Sequence, residues 1–462
     1  MQCVKLTQLL NDAPVLFVSD KIVFNSLAVF SISTDSRSIK KNDLFIALPG
    51  EKYDGHSFID DAIRGGAGCI IFENEKIKSI ERQLRDSARV LFVGVPDTRK
   101  IFGKIAENYL KLFSLKKIVI TGSAGKSTTK RLISSVLSQR YTVVSSAMSF
   151  NNDVGVPKTV LTVDDNTDML IQEFGTNHPG EITYLSNIVH QDYALITHIG
   201  PAHIGFFGNE ENIAREKKCA VDVLGQSGVA FLNAEDKYFR FLGKGINTKI
   251  KSFGLNKGDL YPERIIKIDV YGSEFILTGK KIKAKVLGEH GILNATAAAL
   301  LGLTLGLTKG EIKAGIESYT GEKGRGNIYT WKGVTIIDES YNANPLSVSA
   351  SLNHIGKISI QGKKIFIFGD MLELGNQSEF YHRKIAEEIM KHGITSLYTY
   401  GQKARVTGEA LREAGHTSVF NFLEIDELVN SLRKEVKIGD IILVKGSRNM
   451  ELEEVIKELI KQ

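Results

Sequence analysis

Cysteine is scarce in this sequence, which has three among 462 residues, at Cys3, Cys69 and Cys219. The count is odd and no pair has the spacing of a zinc-ligand motif, so neither a disulfide framework nor a zinc site is predicted. This cysteine usage is typical of a reducing compartment. We therefore expect a cytoplasmic protein.

Long hydrophobic runs are also missing. The N-terminal segment Met1–Pro14 has neither the apolar core nor the small-residue cleavage site of a signal peptide. The most continuous apolar stretch, Ala295–Leu307, is interrupted by threonines and glycines. It is shorter than the roughly 20 residues that cross a bilayer, and we expect no membrane insertion.

Charge of one sign is not concentrated in any segment. The formal net charge is +6, but basic and acidic residues are interspersed, for example in Lys78–Asp86 and Glu451–Lys461. Such mixing favours solvated helix faces over the basic stripe of a nucleic-acid-binding protein. A modest positive balance still suits anionic small molecules such as nucleotides.

The sequence does contain a repeated order of strand, glycine-bearing turn and helix from Lys116 onward. Apolar strands are predicted at Lys116–Ile120, Asp168–Phe174 and Tyr193–Thr197, and a helical pattern follows each turn. Apolar strands that alternate with helices predict a parallel sheet covered on both faces. Functional loops are then expected at the carboxyl ends of the strands.

Two further segments divide the chain. Thr248–Leu287 alternates polar and apolar residues and predicts a short antiparallel addition, whereas strand–helix alternation resumes after the glycine-rich Gly321–Asn327 and predicts a second doubly wound sheet. A chain of 462 residues is long enough for about three domains. We predict an α/β protein with domains at 1–97, 98–320 and 321–462.

The segment Thr121–Thr129, TGSAGKSTT, predicts a phosphate-binding loop because it follows an apolar strand and opens a helix. Lys126 would bring a positive charge to the β and γ phosphates, and Ser127 a hydroxyl to Mg²⁺. The common phosphate loop has a further glycine where this chain has Ile120, so the match is to a shortened loop. The alternative, a tight turn without a ligand, would need the glycines but not the lysine and serine.

Polar residues follow the next two strands. Glu173 and His203 come after successive strands, and their shared edge of the sheet favours a metal site over an ion pair and a surface histidine. His290 and Asn294 are four residues apart on one predicted helical face, which suits an amide that contacts a base. A helix N-terminal cap is the alternative for this segment.

Six motifs stand in a fixed order along the chain: TGSAGKSTTK, FNNDVGVP, EFGTNHPGEI, HGILNATAA, DESYNANP and GDMLELG. Taken together, they resemble the motifs of the Mur ligases of bacterial peptidoglycan synthesis. The resemblance covers the whole chain, from Thr34–Phe58 to Val444–Glu453. SYNANP and GDMLELG resemble the signatures of the branch that adds D-alanyl-D-alanine to UDP-N-acetylmuramoyl-tripeptide (UDP-MurNAc-tripeptide).

The resemblance implies a three-domain fold: a small N-terminal α/β domain, a central parallel-sheet domain that binds a mononucleotide, and a C-terminal Rossmann-like domain. It implies an ATP-dependent amide ligase that forms an acyl phosphate and ADP, with two Mg²⁺ ions. Its partners would be UDP-MurNAc-tripeptide and D-Ala-D-Ala, without nucleic acid, and we expect a monomer.

Carried over position by position, the resemblance implies roles for individual residues. The catalytic residues would be Lys126, Glu173, His203, Lys217 and Arg325. The metal ligands would be Ser127, Glu173, His203 and Lys217. ATP would be bound by Gly122, Ser123, Ala124, Gly125, Lys126, Ser127, Thr128, Asn294, Arg325, Asp338, Tyr341 and Asn342. The substrate would be bound by Ser36, Arg37, Asp54, Gly55, His56, Asn151 and Asn152.

Several of these roles are more specific. Asn294 would contact adenine, Arg325 the γ phosphate, Asp338 the ribose, and Tyr341 with Asn342 the base. Arg37 beside a hydroxyl is a plausible diphosphate contact, with a surface salt bridge as the alternative. The sequence does not separate nucleotide from peptide contacts for the two adjacent asparagines.

Lys217 lies fourteen residues after His203, where the family carries a carbamylated lysine, and Lys218 is the competing candidate. Carbamylation would turn the ammonium into a carboxylate-like metal ligand. Two positions depart from the family pattern, since Ser127 replaces the commoner threonine and His198 stands where asparagine is more usual.

Two alternatives remain open. Another ligase of the same architecture, adding a single amino acid or adding glutamate to folate, would carry an arginine-bearing DNPR-type motif where this chain has SYNANP. A nucleotide-sensing protein without chemistry would not need Glu173, His203 and Lys217 together.

Overall fold

The computed structural model describes residues 1–50, 52–147 and 149–461 of the chain. These residues form two compact units, which we describe separately. The first comprises Met1–Val119, Thr142–Thr176 and Gly180–Asp192. The second comprises Ile120–Tyr141, Asn177–Pro179 and Tyr193–Gln462. The predicted domain limits stay predictions.

Strands and helices alternate through most of the chain. The strands are β1 (Val4–Lys5), β2 (Phe17–Val18), β3 (Ala28–Val29), β4 (Ile32–Ser33), β5 (Leu44–Ile46), β6 (Cys69–Glu73), β7 (Leu91–Val95), β8 (Lys116–Thr121), β9 (Val143–Ser145), β10 (Met169–Glu173), β11 (Tyr193–Ile196), β12 (Val229–Asn233), β13 (Lys249–Phe253), β14 (Arg264–Asp269), β15 (Gly272–Leu277), β16 (Lys280–Ala284), β17 (Asn327–Trp331), β18 (Val334–Asp338), β19 (Lys364–Gly369), β20 (Ser396–Tyr400), β21 (Val419–Phe422) and β22 (Ile441–Lys445).

The helices fall between these strands. They are α1 (Leu6–Leu9), α2 (Lys21–Ser26), α3 (Ile59–Arg64), α4 (Glu81–Asp86), α5 (Thr98–Leu110), α6 (Lys126–Leu137), α7 (Gly155–Val160), α8 (Glu181–Val189), α9 (Ile204–Phe207), α10 (Glu210–Asp222), α11 (Phe239–Gly243), α12 (Gly288–Thr304), α13 (Lys309–Glu317), α14 (Pro345–Lys357), α15 (Ser378–Lys391), α16 (Arg405–Glu413), α17 (Ile425–Glu435) and α18 (Glu453–Ile460).

The first unit contains a five-stranded sheet in the order β2-β7-β6-β5-β4. Strands β4 to β7 run parallel, and β2 pairs antiparallel with β7. The side chains of β5, β6 and β7 are almost all buried because both faces of a parallel sheet are covered. Phe45, Phe72 and Phe92 form the centre of its core.

The second unit contains a parallel run of β11, β12 and β13. The sequence predicted β13 as part of an antiparallel addition, and that prediction is wrong. Of the strands in this segment, β14, β15 and β16 form an antiparallel sheet. β13 alternates because it is a partly exposed strand at the end of a sheet, so its residue pattern does not reveal the direction of its neighbour.

The C-terminal sheet, β17 to β22, has the order β17-β18-β22-β19-β20-β21. Its parallel strands alternate with α14 to α18 as predicted, and β17 is an antiparallel edge strand that the sequence did not indicate. Parallel strands end at one edge, and Asp338, Gly369 and Lys445 are the last residues of three neighbouring strands.

Helix α12 begins at Gly288 and packs against α6. Asn294 therefore lies inside the helix and is not its N-terminal cap. Within the described ranges, no helix combines the length and apolarity that crossing a membrane requires.

Candidate active site

At two positions, the loop between β8 and α6 has a backbone conformation that favours glycine. Gly125 has a φ of 80° and immediately precedes α6, and Gly122 has a φ of 149°. A Cβ on Gly122 would lie 1.9 Å from Oγ1 of Thr197. The two glycines thus permit the tight turn of the loop and the close approach of Thr197 to it.

The loop is held from several sides by hydrogen bonds within the second unit. Ser123 Oγ donates to Gly200 O at 2.8 Å, and Gly200 N donates back to Ser123 Oγ at 3.0 Å. Thr197 Oγ1 donates to Ala124 O at 2.6 Å. Asn344 Nδ2, from the SYNANP motif, donates to Ser123 O at 3.0 Å. A loop supported in this way is organised before any ligand binds.

The two residues predicted to meet phosphate and metal lie at the start of α6. Lys126 Nζ donates to Gly122 O at 2.8 Å, so its charge lies within the curve of the loop. Ser127 is 1% exposed. The helix N-terminus adds N–H donors and a positive dipole end at the same place. The arrangement suits an anion such as a phosphate group.

Asn294 lies against this loop. A Cβ on Gly125 would be 2.9 Å from Asn294 Oδ1 and 3.3 Å from its Nδ2. The asparagine side chain therefore lies close to the glycine that immediately precedes α6. Its predicted contact with adenine stays a prediction.

A second group of predicted ATP residues meets at the turn before β17. Arg325 lies over the ring of Tyr341, with Cζ 4.1 Å from the ring centre, and its Nε is 3.3 Å from Glu322 Oε2. Gly326 N donates to Asp338 O at 2.7 Å. Main-chain pairing beside the start of β17 and the end of β18 therefore brings Arg325, Asp338 and Tyr341 close together. Their common role in binding a nucleotide stays a prediction.

The carboxylate of Asp338 is itself restrained. Its Oδ1 accepts from Ser340 N at 3.0 Å and from Ser340 Oγ at 2.6 Å. Burial raises the pKa of Asp338, and the bonds from Ser340 partly oppose that rise. The side chain is oriented before a ribose hydroxyl could bind.

An ion pair that the sequence did not reveal supports the loop carrying Tyr341 and Asn342. Lys445 Nζ lies 3.0 Å from Glu339 Oε2 and donates to Asn342 O at 3.2 Å. Burial alone would raise the pKa of Glu339, but the charge of Lys445, together with His290 and a hydrogen bond from Ser351, holds it at about 2. A lysine at the end of an apolar strand was the only sequence signal.

Of the four predicted metal ligands, Glu173 lies in the first unit, and Ser127, His203 and Lys217 lie in the second. Glu173 ends β10, is 1% exposed, and accepts from Asn151 Nδ2 at 2.9 Å. His203 precedes α9, and its Nδ1 lies 2.6 Å from Glu373 Oε2.

Lys217 and its neighbour face different surroundings on α10. Lys217 is 2% exposed, whereas Lys218 pairs with Asp222. The buried position favours Lys217 over Lys218 as the candidate for carbamylation.

The donor types fit Mg²⁺, which prefers oxygen ligands and usually takes few from the protein and several from phosphates and water. Ser127 and Glu173 provide such oxygens, and a carbamate on Lys217 would provide more. Among the residues that the structure describes, no three histidine, cysteine or acidic side chains form a ready-made metal cluster.

The predicted substrate residues at the N-terminus are held by local contacts in the first unit. Arg37 is 88% exposed on its side chain and pairs with Asp35 at 2.7 Å, so the salt bridge that the sequence left open is present. This pair lowers the pKa of Asp35 to about 2. Ser36 lies between them at the start of a 3₁₀ turn, Ser36–Ser38.

His56 is engaged at both ring nitrogens. Its Nδ1 lies 2.6 Å from Asp54 Oδ1, and its Nε2 accepts from Glu73 N at 2.9 Å. A Cβ on Gly55 would be 2.7 Å from Leu48 N. These contacts shape the loop, and its binding of the UDP end stays a prediction.

The two adjacent asparagines have different surroundings. Asn151 donates to Glu173, as described above, while Asn152 Oδ1 accepts from Gly155 N at 2.8 Å and Val154 N at 3.3 Å, at the start of α7. Asn152 thus supports the helix, and Asn151 is the one beside a predicted metal ligand.

His198 is one of the two departures from the family pattern. Its Nδ1 lies 3.4 Å from Asp236 Oδ2, and the same oxygen accepts a hydrogen bond from Ile199 N at 2.7 Å. The sequence did not predict roles for Asp236, Thr197, Asn344, Glu322 and Glu373. The contacts of Asp236, Thr197, Asn344 and Glu373 join segments distant in sequence, so no spacing rule could have found them. Glu322 instead lies only three residues before Arg325.

Comparison with protein families gives three matches along the chain. The model described as "Mur ligase family, catalytic domain" matches residues 29–110, "Mur ligase middle domain" matches 120–302, and "Mur ligase, glutamate ligase domain" matches 324–448. A Bacillus subtilis (strain 168) protein named UDP-N-acetylmuramoyl-tripeptide–D-alanyl-D-alanine ligase is 31% identical over 445 residues, covering 95% of this chain and 94% of that protein.

Solved structures agree with these matches. A crystal structure of MurF from Acinetobacter baumannii has a TM-score of 0.88 at 28% identity and covers 100% of both chains. MurF ligase from Thermotoga maritima, solved in complex with ADP, has a TM-score of 0.82 at 26% identity and covers 93% of this chain and 97% of that one. The three-domain architecture expected from the sequence is confirmed.

Proposed function

The chain belongs to the Mur ligase family, and on this premise we propose that it joins D-alanyl-D-alanine to UDP-MurNAc-tripeptide with conversion of ATP to ADP and phosphate. The observation that supports this proposal most directly is the hydrogen bond from Asn344 Nδ2 to Ser123 O. It joins the SYNANP motif, typical of the dipeptide-adding branch, to the loop that would hold ATP.

The proposed reaction has two steps. A carboxylate oxygen of the tripeptide attacks the γ phosphorus of ATP, the bond to the β-phosphate oxygen breaks, and an acyl phosphate and ADP result. The amine of D-Ala-D-Ala then attacks the acyl carbon, phosphate leaves, and the nitrogen loses a proton to give the amide. Both steps bring anions together, so stabilisation of negative charge is the main demand on the protein.

Lys126, Arg325 and the N–H groups at the start of α6 are the groups proposed to meet that demand. Lys126 already lies within the loop, and stacking on Tyr341 holds the guanidinium of Arg325. Bound Mg²⁺ would neutralise phosphate charge and orient the oxygens, held by Ser127, Glu173, His203 and a carbamylated Lys217. Alignment of the reactants would contribute further, because positioning replaces a bimolecular encounter.

The substrate sites remain part of the proposal. Ser36, Arg37, Asp54, Gly55 and His56 would hold the UDP end, and Asn151 would orient Glu173 or contact the peptide. Asn294, Asp338, Tyr341 and Asn342 would hold the nucleoside. The monomeric state and cytoplasmic location also stay predictions.

Release of ADP with UDP-MurNAc-tripeptide tests the function directly. D-Ala-D-Ala should stimulate ADP release strongly, whereas single amino acids should not, because no arginine-bearing DNPR-type motif is present for a single amino-acid carboxylate. A preference for one amino acid would instead identify a different ligase of this family. Nucleotide binding without turnover in any combination would favour the sensor.

Carbamylation of Lys217 has a separate test. Native mass spectrometry and ¹³C NMR of enzyme incubated with ¹³C-bicarbonate should show one labelled carbamate, absent in Lys217→Ala and retained in Lys218→Ala. An unlabelled but fully active enzyme would contradict the modification.

A further inference from the structure

Two loops of the second unit meet at the predicted metal ligand His203. One is the segment 203–208 after β11, which includes the short helix α9, and the other is the segment 373–377 after β19. His203 Nδ1 lies 2.6 Å from Glu373 Oε2, and Gly205 N donates to Glu373 O at 2.9 Å. Gln377 Nε2 donates to Gly208 O at 2.9 Å. The GDMLELG motif therefore touches the histidine both directly and through its neighbours.

The backbone at this contact is held in unusual conformations. His203 has a φ of 58° and Glu373 a φ of 63°, the left-handed region that residues other than glycine rarely adopt. Such strain persists where surrounding contacts maintain it, and it occurs preferentially at functional sites. Two strained residues that face one another indicate that the contact is a built feature of the site.

Glycines allow the two loops to approach this closely. A Cβ on Gly205 would lie 2.7 Å from Gly375 N and 2.9 Å from Glu373 O, and a Cβ on Gly375 would lie 2.9 Å from Gly205 Cα. Any side chain at either position would push the loops apart. Backbone contact thus sets the distance at which Glu373 reaches the imidazole.

A carboxylate beside one ring nitrogen determines what the other nitrogen can do. Nδ1 lies 2.6 Å from the carboxylate, although the angle of this contact is not that of a hydrogen bond. A carboxylate only accepts hydrogen bonds, so a ring that is turned to hydrogen-bond with Glu373 carries its proton on Nδ1, and Nε2 of a neutral ring is left with a lone pair. Histidines that bind metals commonly have such a partner, which fixes the tautomer and the ring orientation.

We propose that Glu373 is a positioning residue that holds His203 in the tautomer and orientation in which Nε2 can bind the catalytic cation. This inference rests on the metal-binding role of His203 in the proposed function. It assigns a task to the GDMLELG motif, to which no site residue was attributed. It also makes cation binding depend on contact between the loop after β11 and the C-terminal sheet.

The test compares full-length variants that break different parts of the same contact. Glu373→Ala removes the partner of the ring, and Glu373→Gln keeps an oxygen that can accept from Nδ1. Gln377→Ala is the matched control, because it removes a hydrogen bond between the same loops without touching the histidine. Circular dichroism and thermal melting verify that each variant folds.

Two readouts are measured. Electron paramagnetic resonance of free Mn²⁺ in the presence of ADP gives cation affinity, and steady-state kinetics give kcat and the KM for Mg²⁺ at saturating ATP. Glu373→Ala should weaken cation binding by about 10–100-fold. Glu373→Gln should recover a substantial part of that loss, and Gln377→Ala should match the unaltered enzyme.

The failures are distinguishable. Unchanged cation binding in Glu373→Ala, with strong loss in His203→Ala, would overturn the positioning role and leave the proposed metal site intact. Equal loss in Glu373→Ala and Gln377→Ala would mean that loop contact alone matters, which also overturns it. Unchanged binding in His203→Ala would remove the metal role of the histidine itself.

Discussion

The phosphate loop of the second unit and the segment around Arg37 in the first are both predicted to bind phosphate groups, but the protein supports them differently. Ser123 and Ala124 are tied to Gly200, Thr197 and Asn344, far away in sequence. Arg37 is paired with Asp35, two residues before it, and is largely exposed. The first arrangement is prepared for its ligand, whereas the second can exchange an exposed partner for a ligand at little energetic loss.

The comparison predicts that the largest loss of stability follows from removing a buried support in the second unit. Lys445→Met would leave Glu339 buried without its cation, which should destabilise the protein by about 3–5 kcal/mol. Urea unfolding measures this change. Lys457→Met, which breaks an exposed pair with Glu454, is the control and should lose less than about 1 kcal/mol.

Lys445→Met should also reverse the contribution of Glu339 to the pH dependence of the free energy of unfolding. In the unaltered protein the pKa of Glu339 is lowered to about 2 from 4.5, so its contribution to stability is present above pH 4.5 and is lost as the pH falls toward 2. Without Lys445, burial dominates and raises this pKa, so stabilisation should increase on acidification from pH 7. If the free energy of unfolding depended on pH in the same way in the unaltered protein and in Lys445→Met, the ion pair between Lys445 and Glu339 would be contradicted.

Turnover should be most sensitive at the phosphate loop. Lys126→Ala removes the charge that lies within the loop, and loss of one such electrostatic donor typically lowers the rate by about 10²–10³-fold. We expect turnover to be abolished in practice and the fold to be intact. Near-normal ADP release would contradict the assignment of the loop.

A smaller effect is expected when the loop's shape is disturbed. Gly125→Ala places a Cβ 2.9 Å from Asn294 Oδ1 at a φ of 80°. The left-handed conformation alone costs roughly 1–2 kcal/mol for alanine. Calorimetric titration should show weaker ATP binding as well.

Gly415→Ala isolates the backbone part of this effect. Its φ is 87°, and no atom lies within 4 Å of the added Cβ. Gly415→Ala should lose about as much stability as the left-handed backbone conformation costs Gly125→Ala. It should bind ATP normally. Equal ATP binding by both variants would show that the collision with Asn294 is unimportant.

The smallest change in stability is expected in the first unit. Arg37→Ala should alter the free energy of unfolding by less than about 1 kcal/mol, as for other exposed ion pairs. The KM for UDP-MurNAc-tripeptide should nevertheless rise about tenfold, if a charge-assisted bond to the diphosphate contributes about 1.5 kcal/mol. Arg64→Ala, which breaks another exposed pair, should change neither quantity. Identical KM values for both variants would contradict a contact between Arg37 and the diphosphate, and the surface salt bridge with Asp35 would be its remaining role.

Local patterns predicted much of the architecture. Apolar strands followed by glycine turns and helices identified β8, β10 and β11 and the parallel part of the C-terminal sheet, because burial on both faces requires continuous apolar residues. The same reasoning failed at β13, where partial exposure produced alternation without an antiparallel neighbour. It also missed β17, whose first residue, Asn327, is the last residue of the glycine-rich segment.

The sequence by itself determined the α/β class, the phosphate loop with Lys126 and Ser127, and the family, because each depends on residues close together in the chain or on motifs in a fixed order. Only the tertiary structure decided that Asn344 supports the loop, that Lys445 pairs with Glu339, and that Glu373 meets His203. These contacts join segments about 100 residues apart or more. Their geometry depends on which strands are neighbours and where each strand ends, and residue spacing carries no record of either.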